Sequence, residues 1–143
     1  MHTDKAGIYV DAHKLRRVLY QALFDMDKRD RVIFGERAMT ELGEFIAAFA
    51  MAYDFPEERD YYIRKMCAVF SVLLIDLRIM AELNVYRGAK NSSGDVIVKG
   101  EIFELVGRID LGISKWRSSI KGKSAGESVC ANTDKIKGDS TLI

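Results

Sequence analysis

The stretch PEERDYYIRKMCAVFSVLLIDLRIMAELNV, residues 56–85, decides the fold. No Gly or Pro interrupts it after Pro56. Apolar side chains recur at Tyr62, Met66, Val69, Phe70, Leu73, Leu74, Leu77, Met80, Ala81 and Leu83. That is the i, i+3, i+4, i+7 spacing of one α-helical face. Pro56 suits the first helical position, where its missing N–H costs no hydrogen bond. Glu57 and Glu58 then set negative charge at the positive end of the helix dipole. Roughly 28–30 residues at about 1.5 Å each make a rod of about 40–45 Å. Such a rod cannot bury its stripe alone, so other helices must lie along it.

The flanking chain supplies them. Residues 30–53 carry Phe34, Ala38, Met39, Leu42, Phe45, Ile46, Phe49, Ala50 and Tyr53 at helical spacing. Gly35 and Gly43 each lower helix propensity by about 1 kcal/mol relative to Ala. Close helix–helix approach is the plain reason to keep them; a ligand against the backbone is the other. Asp54-Phe55-Pro56 is short enough to make this helix and the next antiparallel neighbours. Residues 11–27 form the first helix, with Leu15, Val18, Leu19, Ala22, Leu23 and Met26 inward and Asp11 placed to cap the start. Residues 1–10 show no clear period.

Beyond the long helix, residues 87–100 carry turn chemistry, centred on Asn91-Ser92-Ser93-Gly94-Asp95. The β-branched Val96-Ile97-Val98 either pairs as a small hairpin arm or crosses the bundle end. Residues 99–120 form the last helix, with Ile102, Phe103, Val106, Ile109, Ile113 and Trp116 on its core face and Leu105 near its edge. Gly107 and Gly112 again suit close approach. From residue 122 the period vanishes and small polar residues dominate. The expectation is an all-α chain: an antiparallel up-down-up-down four-helix bundle over 1–121 and a disordered C-terminal tail over 122–143.

Composition narrows the function classes. The length suits one domain. Lysine and arginine number 22 against 21 acids, so bulk charge argues neither for nor against a nucleic-acid partner. Cys67 lies on the long helix and Cys130 in the polar tail, which predicts no structural disulfide and fits a reducing compartment. No N-terminal stretch reads as a signal peptide and no run reaches membrane-spanning length, so a soluble cytoplasmic protein is expected.

Catalytic motifs are missing. There is no GxxxxGK[ST], no GxGxxG after a strand, no HExxH and no paired ExxH, and the single GxSxG string, Gly122-Lys123-Ser124-Ala125-Gly126, falls in the polar tail with no strand before it to make a nucleophile elbow. His2 and His13 read as solvated side chains rather than ligands or proton shuttles. Glu36, Glu41, Glu44, Glu57 and Glu58 read as solvated helix charges. No enzyme, cofactor or metal is expected.

What remains is basic: Arg16, Arg17, Arg29, Arg31, Arg37, Arg59, Arg64, Lys65, Arg78, Arg108, Lys115 and Arg117 fall on helices or their ends. Merged into stripes on a bundle, they would neutralise phosphates. Structural readings stand beside that one. Arg16 and Arg17 suit a solvated face. Lys115, Arg117, Lys121 and Lys123 suit the negative end of the last helix dipole. Arg78, flanked by apolar residues, reads first as a partly buried arginine paired with an acid, either Asp76 of a neighbouring chain or Glu82 at i+4. A nucleic-acid contact is its second reading.

Four stretches together resemble a family of small four-helix bundles. It includes the accessory variability determinant of diversity-generating retroelements and proteins encoded in intervening sequences of bacterial large-subunit ribosomal RNA genes. Arg31-Val32-Ile33-Phe34-Gly35-Glu36 is similar to the family's opening of its second helix, and Ala52-Tyr53-Asp54-Phe55-Pro56 to that helix's end. Residues 74–83, Leu74-Ile75-Asp76-Leu77-Arg78-Ile79-Met80-Ala81-Glu82-Leu83, resemble its third helix. Val106-Gly107-Arg108-Ile109 with Trp116-Arg117-Ser118-Ser119 resembles its close. The likeness spans roughly residues 11–121. The chain departs from the pattern in a longer gap from Gly107 to Trp116, in Lys115 before the Trp where Gly is usual, and in a longer 87–99 loop.

The resemblance implies a ring-shaped homopentamer. In the retroelement branch it implies a basic surface that binds nucleic acid and a reverse transcriptase, without catalysis of its own. Arg31, Arg78, Arg108 and Arg117 are the basic positions inside matching motifs; Lys115, Arg16 and Arg17 join them as candidate nucleic-acid contacts. The expected function is a non-enzymatic accessory protein binding RNA, DNA or a hybrid. The alternative is an oligomeric protein-interaction module that does not bind nucleic acid. A third reading, a small molecule or metal inside the bundle, needs core polar groups that the sequence scarcely offers.

Overall fold

The computed structural model describes residues 3–123, with side chains from residue 7 to 120. Four helices make the fold. α1 is Thr3–Asp25. α2 runs over 28–54, passing through a wider π-helical turn at Arg31–Gly35 without leaving helical backbone angles. α3 is Arg59–Glu82, opened by a tight 3-10 turn at Pro56–Glu58. α4 is Ile97–Lys123. The tightest packing joins α2 to α3 and α1 to α4, with α1 against α2 next. The described residues hold no strand and no helix long and apolar enough to cross a membrane.

The core is the inward stripe of all four helices. Leu15 and Leu19 of α1, Leu42 and Phe45 of α2, Met66, Leu73 and Leu77 of α3, and Ile102, Ile109 and Trp116 of α4 are buried. Aromatic rings stitch the layers: Phe45 meets Phe70 at 5.3 Å and Phe49 meets Trp116 edge-on at 5.3 Å. Gly35 is buried where α2 crosses α1; a Cβ there would stand 3.0 Å from Leu23 Cγ, so the glycine permits that approach. Gly43 and Gly107 do not play the expected part, because a Cβ at either would meet nothing within 4 Å.

α3 ends three residues before the expected Val85. Asn84 takes left-handed backbone (φ 56°). Its N–H donates to Ala81 O at 3.1 Å and Val85 N–H donates to Met80 O at 3.1 Å. This is the Schellman arrangement, which satisfies the last carbonyls of a helix, and the buried Val85 and Met80 are its usual apolar pair. Arg59 serves α2 in the same way, donating from Nε to Ala52 O at 3.0 Å.

Three other expectations change. α1 starts at Thr3, not at residue 11, because Ile8 and Ala12 continue the buried stripe. Asp11 is therefore a buried mid-helix acid rather than a cap. Val96 forms an isolated antiparallel bridge with Lys90, while Ile97 and Val98 already belong to α4. α4 also carries through residues 122 and 123, which the tail reading had included. The rest of that tail, with Cys130, and also His2 lie outside the described residues. Cys67 is a buried thiol on α3.

Candidate nucleic-acid interface

The α1–α4 seam gathers the basic residues. Its centre is an ion pair: Arg108 Nη2 on α4 donates to Asp11 Oδ1 on α1 at 2.9 Å. The Asp11 side chain is only 10 % exposed and that of Arg108 52 %. Arg108 thus answers a buried charge with one face and meets solvent with the other. Two shallow clefts adjoin at this residue. One, of about 290 Å³, has Lys14 and Arg17 of α1 facing Glu101, Glu104 and Arg108 of α4. The next, of about 270 Å³, runs past Asp11, Arg108 and Leu111 to Lys115. The helices that carry these residues pack by their apolar stripes, which leaves the charged positions on the rim.

Of the expected contacts, Arg17, Arg108 and Lys115 are brought together here, and Arg16 is exposed beside them on α1. Lys14 completes the row. Its signal in the sequence is its place in Lys14-Leu15-Arg16-Arg17, three residues before Arg17 and so on the same helix face. The other three are elsewhere. Arg31 is half-buried in the π-helical turn of α2, Arg117 is half-buried beside the core residue Trp116, and Arg78 is exposed on α3.

Within one protomer Arg78 is exposed rather than partly buried and makes no ion pair with Glu82. The acid beside it, Asp76, belongs to Arg37 of α2 instead. Nε reaches Oδ2 at 3.1 Å and Nη2 reaches Oδ1 at 2.9 Å, a bidentate clamp on a carboxylate that is 8 % exposed. Arg78 itself holds no ion pair among the described residues.

Glu41 overturns the reading of solvated helix acids. It sits one turn past Arg37, half-buried, with Oε1 shut away from solvent and from any protein donor. Its pKa is raised to about 7, first by burial and then by the facing Asp76 carboxylate, to which the protonated acid can donate. Glu44 adds further and Arg37 opposes. His13 is also not a free surface side chain: it is half-buried, edge-on to Tyr9 at 4.4 Å, with Nε2 enclosed and without a hydrogen-bond partner. Tyr86 is buried and donates to Leu77 O at 3.0 Å; burial pushes its phenol pKa up.

A second surface feature lies on α3. Ala68, Val72, Ile75 and Leu83 are exposed and Ile79 is half-exposed. Their spacing sets a second apolar stripe on the side of α3 away from the core. No group of three or more His, Cys, Asp or Glu side chains among the described residues is placed to hold a metal ion. Compared with family models, with curated proteins and with solved structures, the chain matches none.

Proposed function

We propose that this protein is a non-enzymatic, cytoplasmic helical bundle that binds nucleic acid along the α1–α4 seam. It would act as a self-associating accessory to a reverse transcriptase, as the resemblance to the retroelement accessory family suggests. The observation that carries the binding part is the row Lys14, Arg17, Arg108 and Lys115 along two adjoining clefts. From Arg108 to Lys115 the α4 side of the row rises about 10 Å. A strand presenting one phosphate per roughly 3.4 Å of duplex axis passes several phosphates over that length. Glu101 and Glu104 share the first cleft with Lys14 and Arg17, so the least opposed positive charge runs from Arg108 to Lys115.

Mobility shift with single-stranded, duplex and hybrid oligonucleotides tests it. Four cations predict that log affinity falls with log salt at a slope of about −3 per engaged protomer. Lys14→Glu with Lys115→Glu should abolish the shift at moderate salt. Arg108 is a poor test residue, because removing it also strands Asp11. No shift at low salt would exclude direct binding by the protein alone.

The second reading, a protein-interaction module, draws on the apolar outer stripe of α3. It predicts a complex that is indifferent to salt and to the α1–α4 charge reversals.

A further inference from the structure

The loop between α3 and α4 builds a cavity of about 470 Å³ at the end of the bundle. That lies within the roughly 300–1,000 Å³ usual for small-molecule sites. Its walls are set by the loop's own hydrogen bonds. Asn91 Oδ1 accepts from the N–H groups of Ser93 at 2.9 Å and Asp95 at 3.0 Å. Asn91 N–H donates to Asp95 O and Ile97 N–H to Ala89 O, both at 2.9 Å. Gly88 (φ 123°) and Gly94 (φ 86°) hold backbone shapes closed to most side chains and let the main chain border the cavity directly. Tyr86, anchored through its hydroxyl, gives the wall a rigid aromatic part.

Among the residues that line the cavity, cations outnumber acids. Arg87, Lys90 and Lys99 line it against one acid, Asp95. Arg87 meets Asp27 only at 3.4 Å, in a pair exposed on both sides. Lys90 and Lys99 hold no ion pair among the described residues. Asp25 approaches Gly88 from α1 but does not line the cavity. Convergent cations call for an anion, and phosphate takes several charge-assisted hydrogen bonds at once. The volume exceeds what a bare phosphate fills. Asp95 only accepts hydrogen bonds when ionised, so the same ligand should bring donors such as hydroxyl groups.

We propose that this cavity binds a phosphorylated sugar, either a nucleotide or a simple sugar phosphate. The phosphate meets Lys90, Lys99 and Arg87, and the sugar hydroxyls meet Asp95. The site is separate from the α1–α4 seam and does not depend on nucleic-acid binding there.

Calorimetric titration of the full chain with ribose 5-phosphate, adenosine 5′-monophosphate, inorganic phosphate and unphosphorylated ribose tests it. The expected result is saturable binding of both phosphorylated probes, weakened by salt, and no heat from ribose. Tighter binding of the nucleotide assigns a nucleotide ligand; equal binding assigns a sugar phosphate. Lys90→Ala, at an exposed position, and Lys90→Ala with Lys99→Ala should weaken binding progressively, by about tenfold or more for the pair. Asp95→Asn should weaken ribose 5-phosphate more than inorganic phosphate. Lys14→Glu with Lys115→Glu should leave the titration unchanged, which separates this site from the seam. No saturable heat from either phosphorylated probe at millimolar concentration, or affinity untouched in a folded Lys90→Ala/Lys99→Ala variant, would overturn the proposal.

Discussion

Glu41 and Asp76 face each other across the α2–α3 seam with one bidentate arginine between two acids, so the protein favours keeping a proton on Glu41. Its pKa of about 7 in the fold stands above the ordinary 4.5. The folded state therefore holds the proton more tightly than the unfolded chain. That contribution is fully present below about pH 4.5 and is lost as pH rises through 7. Glu41→Gln keeps a neutral donor toward Asp76 and should remove this loss. Urea midpoints of variant and wild type should converge near pH 4.5 and separate in the variant's favour by pH 8. Curves that stay parallel would mean that Glu41 titrates as an ordinary surface acid. The Asp11–Arg108 pair makes the opposite kind of prediction. Arg108→Ala leaves a carboxylate buried without its cation and should cost about 2 kcal/mol. Lys115→Ala, at an exposed position on the same helix, should cost far less. Equal losses in chemical denaturation would show that the ion pair adds nothing to the seam. None of these pairings was legible in sequence. Arg37 and Asp76 are 39 residues apart, and only the way α2 and α3 lie together makes them partners.

At the scale of the element, periodicity carried nearly everything that packing enforces. The spacing in residues 56–85 placed α3, and Met66, Phe70, Leu73, Leu77 and Met80 are buried as expected. The expectation slipped where an end is set by backbone geometry instead of burial. Val85 is buried, so the stripe ran on through it, yet Asn84 had already turned the chain into left-handed backbone. The start of α1 slipped for the converse reason: Tyr9 and Val10 are exposed apolar residues that blur the stripe to which Ile8 and Ala12 belong. The candidate interface was legible only as a list of cations, since α1 and α4 are joined by a stripe whose rim the sequence does not order. Asn84 offers a direct check of the helix stop. Asn84→Gly should be neutral or slightly stabilising, because glycine adopts this geometry without a Cβ penalty. Asn84→Ala should lose about 1 kcal/mol. Thermal unfolding that ranks alanine at or above glycine would show that the Schellman turn does not hold the end of α3.

For the molecule as a whole, α3 poses the main question. A helix with apolar stripes on two sides is normally covered on both. In one protomer the inner stripe packs against the other helices, while Val72 and Ile75 are half open to water. Leu83, expected on the core face, instead extends the outer stripe and is 56 % exposed, because the helix ends at Glu82 and the chain turns before it can point inward. The spacing 68, 72, 75, 79, 83 is legible in the sequence, but one inward face suffices to build a bundle, so the pattern alone does not demand a cover for the second stripe. A second copy of the chain is the cover that the proposed assembly requires. Val72→Glu with Ile75→Glu should then reduce the particle from several subunits to one chain of 16.2 kDa by light scattering, with helical circular dichroism unchanged. The substitutions touch no core residue, so a loss of helicity would point to a stripe that the protomer itself needs. A particle that stays assembled would move the interface elsewhere. The same variant also separates assembly from binding. A ring multiplies weak sites through effective concentration. The monomeric variant should therefore keep the per-protomer salt slope of about −3 while its affinity for a long oligonucleotide falls by about a hundredfold. If affinity is retained in the monomer, one α1–α4 seam is enough for the nucleic acid, and the outer stripe of α3 serves a different purpose from binding it.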